Sequence, residues 1–145
     1  MFCVLLRQLS ALTITVMFLG WLTPAVANVS VRIDISSQTM TVAINGAHYA
    51  TWKVSTARRG YYTPRGSYRP FLLKRMHYSR KYDNSPMPHS IFFRGGYAIH
   101  GTYYLKSLGR PASHGCIRLA PQNAARLYSI VRHHGSRKTR ITITN

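Results

Sequence analysis

The sequence predicts a small, mostly β domain with one main helix near its C-terminal end. Three observations carry this expectation. Apolar and polar residues alternate in several short runs, which is the spacing of half-buried strands. Only residues 121–132 place apolar side chains at helical spacing. A chain of 145 residues is long enough for one domain and not two.

The first 27 residues are expected to lie outside that domain. Arg7 supplies a positive start, Ala11 to Leu22 is apolar, Pro24 breaks the run, and Ala25-Val26-Ala27 is a small-x-small cleavage site. That is the layout of a secretory signal peptide, with residues 28–145 as the mature domain. The alternative is an uncleaved anchor, but the apolar run is shorter than the roughly 20 residues that a spanning helix needs. No other segment is apolar enough to span a membrane, so no stable anchor is expected after cleavage.

Within the domain, Val31, Ile33 and Ile35 alternate with polar residues and read as the first strand. Met40, Val42 and Ile44 read as the second, and Asn45-Gly46 is a hairpin turn signal. His48 to Val54 follows as a strand. Tyr49 and Thr51 have one parity and Trp52 and Val54 the other, so a bulge or a longer loop is expected there. Arg58 to Gly66 reads as a loop, and Ser67 to Met76 as a segment that holds a strand. His77 to Ser90, with Asp83-Asn84, Pro86 and Pro88, reads as an irregular excursion. Ile91 to Phe93 and Tyr97 to Ile99 are two short strands around Gly95-Gly96. Pro121 to Arg132 is the helix, with Pro121 in its first turn and Ala124, Leu127, Tyr128 and Val131 as its apolar stripe. Thr139 to Thr144 is the last strand.

Cysteine usage is informative. Cys3 falls in the leader, which leaves Cys116 alone in an exported chain, where cysteines usually pair. A solitary Cys there is a reactive thiol, half of an intermolecular bridge, or a buried, inert thiol. Its neighbourhood is Ser113-His114-Gly115-Cys116-Ile117-Arg118-Leu119, with Ile99-His100-Gly101-Thr102 upstream. A thiol attacks as thiolate, and a nearby imidazole can hold the two as a thiolate–imidazolium pair. His114 and His100 are both candidates for that imidazole. Gly115 leaves the sulfur accessible and backbone N–H groups free for an oxyanion. The only acids in the chain are Asp34 and Asp83, so the group that orients the base is expected to be a carbonyl, amide or hydroxyl. The alternative of a zinc site is disfavoured, because the chain has no HxxxH or CxxC pair. No metal and no cofactor are expected.

Several segments, taken in order, resemble the catalytic domain of the L,D-transpeptidase family over nearly all of residues 29–144. They are Val54-Ser55-Thr56, Thr63-Pro64-Arg65-Gly66, Met87-Pro88, Ala98-Ile99-His100-Gly101, Leu108-Gly109, and Ser113 through Leu119. The resemblance implies a β-sandwich-like domain and an enzyme acting on peptidoglycan stem peptides. It implies that Cys116 attacks the carbonyl preceding a terminal D-amino acid, which leaves, and that an amine from a second stem resolves the thioester. By the same resemblance His100 is the base, oriented by the Gly101 carbonyl. The N–H groups around His114, Gly115 and Cys116 make the oxyanion hole. Arg118 takes a substrate carboxylate, and Ser113 and Thr102 wall or support the site. The chain departs from the family at Ala57, where Gly is usual, and at His89, where an aromatic is common. It shows no added wall-binding module.

Two other functions stay open on the sequence. A carboxypeptidase would use water as acceptor and share the acyl-enzyme half. A non-catalytic, basic wall-binding protein would not need the Cys116/His100 pair. The charge is +18, and losing Arg7 with the leader leaves +17. Such a field concentrates anionic partners, with anionic lipid and cell-wall polymers as candidates, or is a solvated basic surface with no specific partner. Nucleic acid is not the expected partner, because no motif for it is present.

Overall fold

The structure, a computed structural model, describes residues 28–145. The expected signal peptide lies outside the described residues. Among those residues, no helix is long and apolar enough to cross a membrane.

The strands in chain order are β1 (Val29–Asp34), β2 (Thr39–Ile44), β3 (Ala47–Lys53), β4 (Gly66–Tyr68), β5 (Leu72–Ser79), β6 (Ser85–Arg94), β7 (Tyr97–Gly101) and β8 (Ile117–Leu119). Helix α1 (Pro121–His134) and strand β9 (Thr139–Thr144) complete the fold. One sheet has the order β3-β2-β1-β9-β4 and the other β5-β6-β7-β8. β1 runs parallel to β9, and β7 parallel to β8. The domain is therefore mostly β, in two sheets, with its helix near the C-terminus.

Alternation decides which side chains meet between the sheets. Val29, Val31 and Ile33 on β1, Met40 and Val42 on β2, and Ile141 and Ile143 on β9 are all buried. They join Ile91, Phe93, Ile99, Ile117 and Leu119 of the second sheet in one core. Helix α1 adds Ala124, Leu127 and Val131 and packs against β6 and β7. Tyr128, the fourth residue of the expected stripe, is half-buried against His89, with ring centroids 5.5 Å apart.

Asn45 and Gly46 have φ of 50° and 81°, the left-handed pair that a tight hairpin turn requires. The bulge expected in this hairpin lies between Val42 and Ala43, where the register shifts.

One reading needs correction, one needs refinement, and one strand went unread. Ser67 to Met76 holds parts of two strands. Pro70, which cannot donate to a ladder, separates β4 in the first sheet from β5 in the second. The stretch 77–90 is not irregular, since β5 continues to Ser79 and β6 starts at Ser85. Pro86 and Pro88 are tolerated because that half of β6 pairs only with β5; pairing with β7 begins at Ile91. The free edge needs no N–H, so a proline there breaks nothing. Finally, Ile117 to Leu119 forms β8, a strand too short to announce itself by periodicity.

Candidate active site

β7 and β8 lie side by side in parallel register, with Ile99 opposite Ile117 and His100 opposite Arg118. Ile99, Ile117 and Leu119 face the core. Strand alternation then sends Ala98 and His100 from β7, and Arg118 from β8, to the opposite face, with Cys116 just before β8 at the same parity. Cys116 packs there beside Met87, Phe92 and Ala98. This face opens into a cleft of about 1150 Å³ lined by Cys116, His100, Arg118, Thr102, Ser113 and His114. The projecting ends of β5 and β6 form one wall of it.

His100 is buried, and its Nδ1 lies 2.7 Å from the Gly101 carbonyl oxygen. A carbonyl only accepts, so Nδ1 must carry the proton and Nε2 is left as the basic nitrogen. Burial pushes the His100 pKa down to about 4, and Arg118 adds to the effect. Cys116 is half-buried, with its thiol 3.8 Å from the Gly96 carbonyl oxygen. Crowding around the sulfur pushes the thiol up, and a backbone contact from Ala98 and the charge of Arg118 only partly oppose this. Both shifts favour the neutral forms. Burial thus works against the thiolate–imidazolium pair and toward a thiol beside a neutral imidazole.

The nucleophile loop is held from inside. Ser113 is fully buried, and its hydroxyl donates to the Cys116 carbonyl (2.6 Å) and accepts from the Gly115 N–H (3.0 Å). The Thr63 hydroxyl donates to the Gly115 carbonyl (2.8 Å) and accepts from the Ala57 N–H (3.0 Å). Gly115 has φ of 132°, and a Cβ there would lie 2.6 Å from Tyr97 Cε1 and 2.7 Å from the Tyr62 carbonyl oxygen. Only glycine fits. With the Gly115 N–H occupied by Ser113, the N–H groups of His114 and Cys116 are those with no acceptor among the described residues.

Arg118 is half-buried, and burial lowers its pKa. The thiol of Cys116 and the phenol of Tyr104 are the groups that favour its charge, and no carboxylate is among them. Thr102 is buried and accepts from the Tyr104 N–H at 3.2 Å. Neither acid of the chain hydrogen-bonds to a residue of the site. Asp34 is engaged by Ser36 and Ser37 in its own turn, and Asp83 sits at the β5–β6 turn with φ of 50°. Among the described residues, no group of His, Cys, Asp and Glu is arranged to hold a metal ion.

Sequence reading missed several lining residues. Thr63 gave no sign of bridging two loops. His77, whose ring meets Phe92 edge-on at 5.2 Å, and Tyr61, Tyr82, Tyr103 and Tyr104 come from separate segments that only folding brings together.

Comparison with known proteins agrees with this geometry. A family described as YkuD, L,D-transpeptidase catalytic domain, matches residues 28–143. An L,D-transpeptidase from Mycobacterium smegmatis superposes with a TM-score of 0.72 at 26% identity, over 82% of this chain and 59% of that one. An L,D-transpeptidase from Stackebrandtia nassauensis gives 0.71 at 26% identity, over 81% and 56%. The L,D-transpeptidase of Xylanimonas cellulosilytica gives 0.67 at 25% identity, over 84% and 63%. This chain thus spans less than two thirds of each of these solved chains. No curated protein sequence matches it. With the sandwich fold, the Ser-His-Gly-Cys loop and the upstream His-Gly in one cleft, the chain belongs to the L,D-transpeptidase catalytic domain family.

Proposed function

We propose that this protein is an exported peptidoglycan L,D-transpeptidase of the periplasm or cell wall, with Cys116 as nucleophile and His100 as base. The observation that carries this reading is the 2.7 Å contact from His100 Nδ1 to the Gly101 carbonyl, which leaves Nε2 free to take a proton in the cleft that holds Cys116.

The chemistry starts from the neutral pair. As Sγ attacks the stem-peptide carbonyl carbon, its proton passes to His100 Nε2. The negative charge that develops on the carbonyl oxygen is met by the N–H groups of His114 and Cys116. The tetrahedral adduct collapses, the C–N bond breaks, and the leaving D-amino acid takes its proton from Nε2. A thioester remains on Cys116. An acceptor amine then attacks it, gives a proton to Nε2, and expels the thiolate, which recovers that proton. Arg118 offers a charged, planar donor pair for a substrate carboxylate. Ser113 and Thr63 hold the loop, and Thr102 supports the wall near Tyr104. The cleft volume of about 1150 Å³ slightly exceeds the roughly 1,000 Å³ upper bound of ordinary ligand sites, which is room for a donor and an acceptor peptide. Residues 1–27 serve as the signal peptide, and the surplus of basic residues holds anionic wall polymers near the domain.

The test is intact mass after incubation with a stem tetrapeptide, with and without an amine acceptor. A transpeptidase gains the mass of the tetrapeptide less that of the departed D-amino acid, and the amine discharges the acyl group into a cross-linked product. Discharge by water alone would make it a carboxypeptidase. Absence of any adduct, or an adduct that survives Cys116→Ala, would overturn the enzymatic reading.

A further inference from the structure

Five side chains from three separate segments stack in a line beside the nucleophile. The guanidinium of Arg58 lies 4.9 Å from the centroid of Tyr61. The Tyr61 ring meets the edge of His114 at 4.7 Å, and His114 stacks on Tyr82 at 4.2 Å with only 10° between the planes. The ammonium of Lys81 closes the line, 5.5 Å from the centroid of Tyr82. Arg58 and Tyr61 belong to the loop after β3, His114 to the nucleophile loop, and Lys81 and Tyr82 to the turn between β5 and β6. Sequence separation gives no hint that these segments touch.

We propose that the His114 side chain is a positioning residue: it is the central rung of this ladder, clamping the β5–β6 turn and the 58–62 loop onto the nucleophile loop. The inference rests on the transpeptidase reading for its catalytic consequence, though not for the ladder itself. His114 N–H is one of the two donors left for the oxyanion, and its ring is the part of that residue that the rest of the protein holds. Fixing the ring fixes the peptide whose N–H must meet the developing charge. The clamp also sets the width of the cleft, since Tyr61 and Tyr82 both line it.

The positive charges around the ladder work against protonation of the central imidazole. Arg58 faces it through Tyr61, Lys81 through Tyr82, and Arg118 from β8, and no carboxylate offsets them. Burial and these three charges hold the His114 pKa below its ordinary value of 6.5. The open state of the turn takes up a proton at that ordinary value, whereas the closed state resists it. Opening is therefore favoured as pH falls below about 6.5.

Two readouts test this. The Tyr82 N–H bonds to the Ser79 carbonyl (3.1 Å) and the Ser85 N–H to the Tyr82 carbonyl (2.9 Å), so amide hydrogen exchange at these two positions reports the turn. In the full domain, His114→Ala and Tyr82→Ala should each speed that exchange. Each should also slow acylation of Cys116 by a stem tetrapeptide, roughly ten- to hundredfold. The double variant should lose little more than the worse single one, because both remove the same contact. His114→Phe, which stacks but cannot titrate, should recover most of the loss and abolish the acid-induced rise in exchange. Additive losses, unchanged exchange, or His114→Phe behaving like His114→Ala would overturn the proposal. Exchange that responds as stated, in a protein no tetrapeptide acylates, would sink the transpeptidase reading and leave the clamp standing.

Discussion

At the scale of single residues, the bias toward a neutral pair has a measurable consequence. A thiol raised above its ordinary value of 9.0 is little ionised near neutrality, and a His100 near 4 adds no charge to help it. Alkylation of Cys116 by iodoacetamide should climb steadily from about neutrality to beyond pH 9. A preformed thiolate–imidazolium pair would instead react at a rate nearly flat through neutrality, so a flat profile would contradict the geometry. The scarcity of acids in the chain made a non-carboxylate partner legible, and the family resemblance pointed to Cys116, His100 and the Gly101 carbonyl. It did not make the protonation state legible. That follows from burial, which depends on Met87, Phe92 and Ala98 closing around the sulfur.

At the scale of elements, strands with clean alternation were readable and those shaped by their neighbours were not. β1, β2 and β9 declare themselves because one face is buried and the other is not. β6 hides behind two prolines whose missing N–H groups matter only if a neighbour needs them, and neighbour identity is a tertiary fact. The nucleophile loop shows the same limit. Gly115 could be read as making room, but the reason it is required lies in Tyr97 and the Tyr62 carbonyl, both distant in sequence. Gly115→Ala should therefore destabilise the domain by about 2 kcal/mol or more, through overpacking joined to an unfavourable positive φ. Thermal unfolding checks the first effect and Cys116 acylation the second. A variant as stable and as active as the parent would mean that the loop is not held in this conformation.

At the scale of the whole molecule, the proposed function gives charge two separable roles. The scattered basic surface would hold wall polymers over distance, and the Debye length is about 8 Å at physiological ionic strength. Arg118 would hold a substrate carboxylate at contact range inside the cleft. Arg118→Ala should slow turnover of a soluble stem peptide roughly tenfold, matching the 1.5–3 kcal/mol of a charge-assisted hydrogen bond. Binding to intact anionic wall should stay close to that of the parent in this variant and weaken steeply with salt in both. Turnover unaffected by the substitution, or salt-insensitive wall binding, would remove the corresponding role. The surplus itself was plain in the sequence, whereas the site's lack of a paired acid became plain only once Asp34 was seen engaged in its own turn.

The placement of β9 bears on how this chain comes into being. It sits in the interior of its sheet, between β1 and β4, in parallel register with β1. Without residues 139–144, β1 lacks a neighbour on one side and β4 has none at all. Residues 29–34 and 139–144 must meet in the middle of one sheet, and that long-range contact costs closure entropy before the core forms. Chains lacking residues 139–144 thus have no completed core in which to settle.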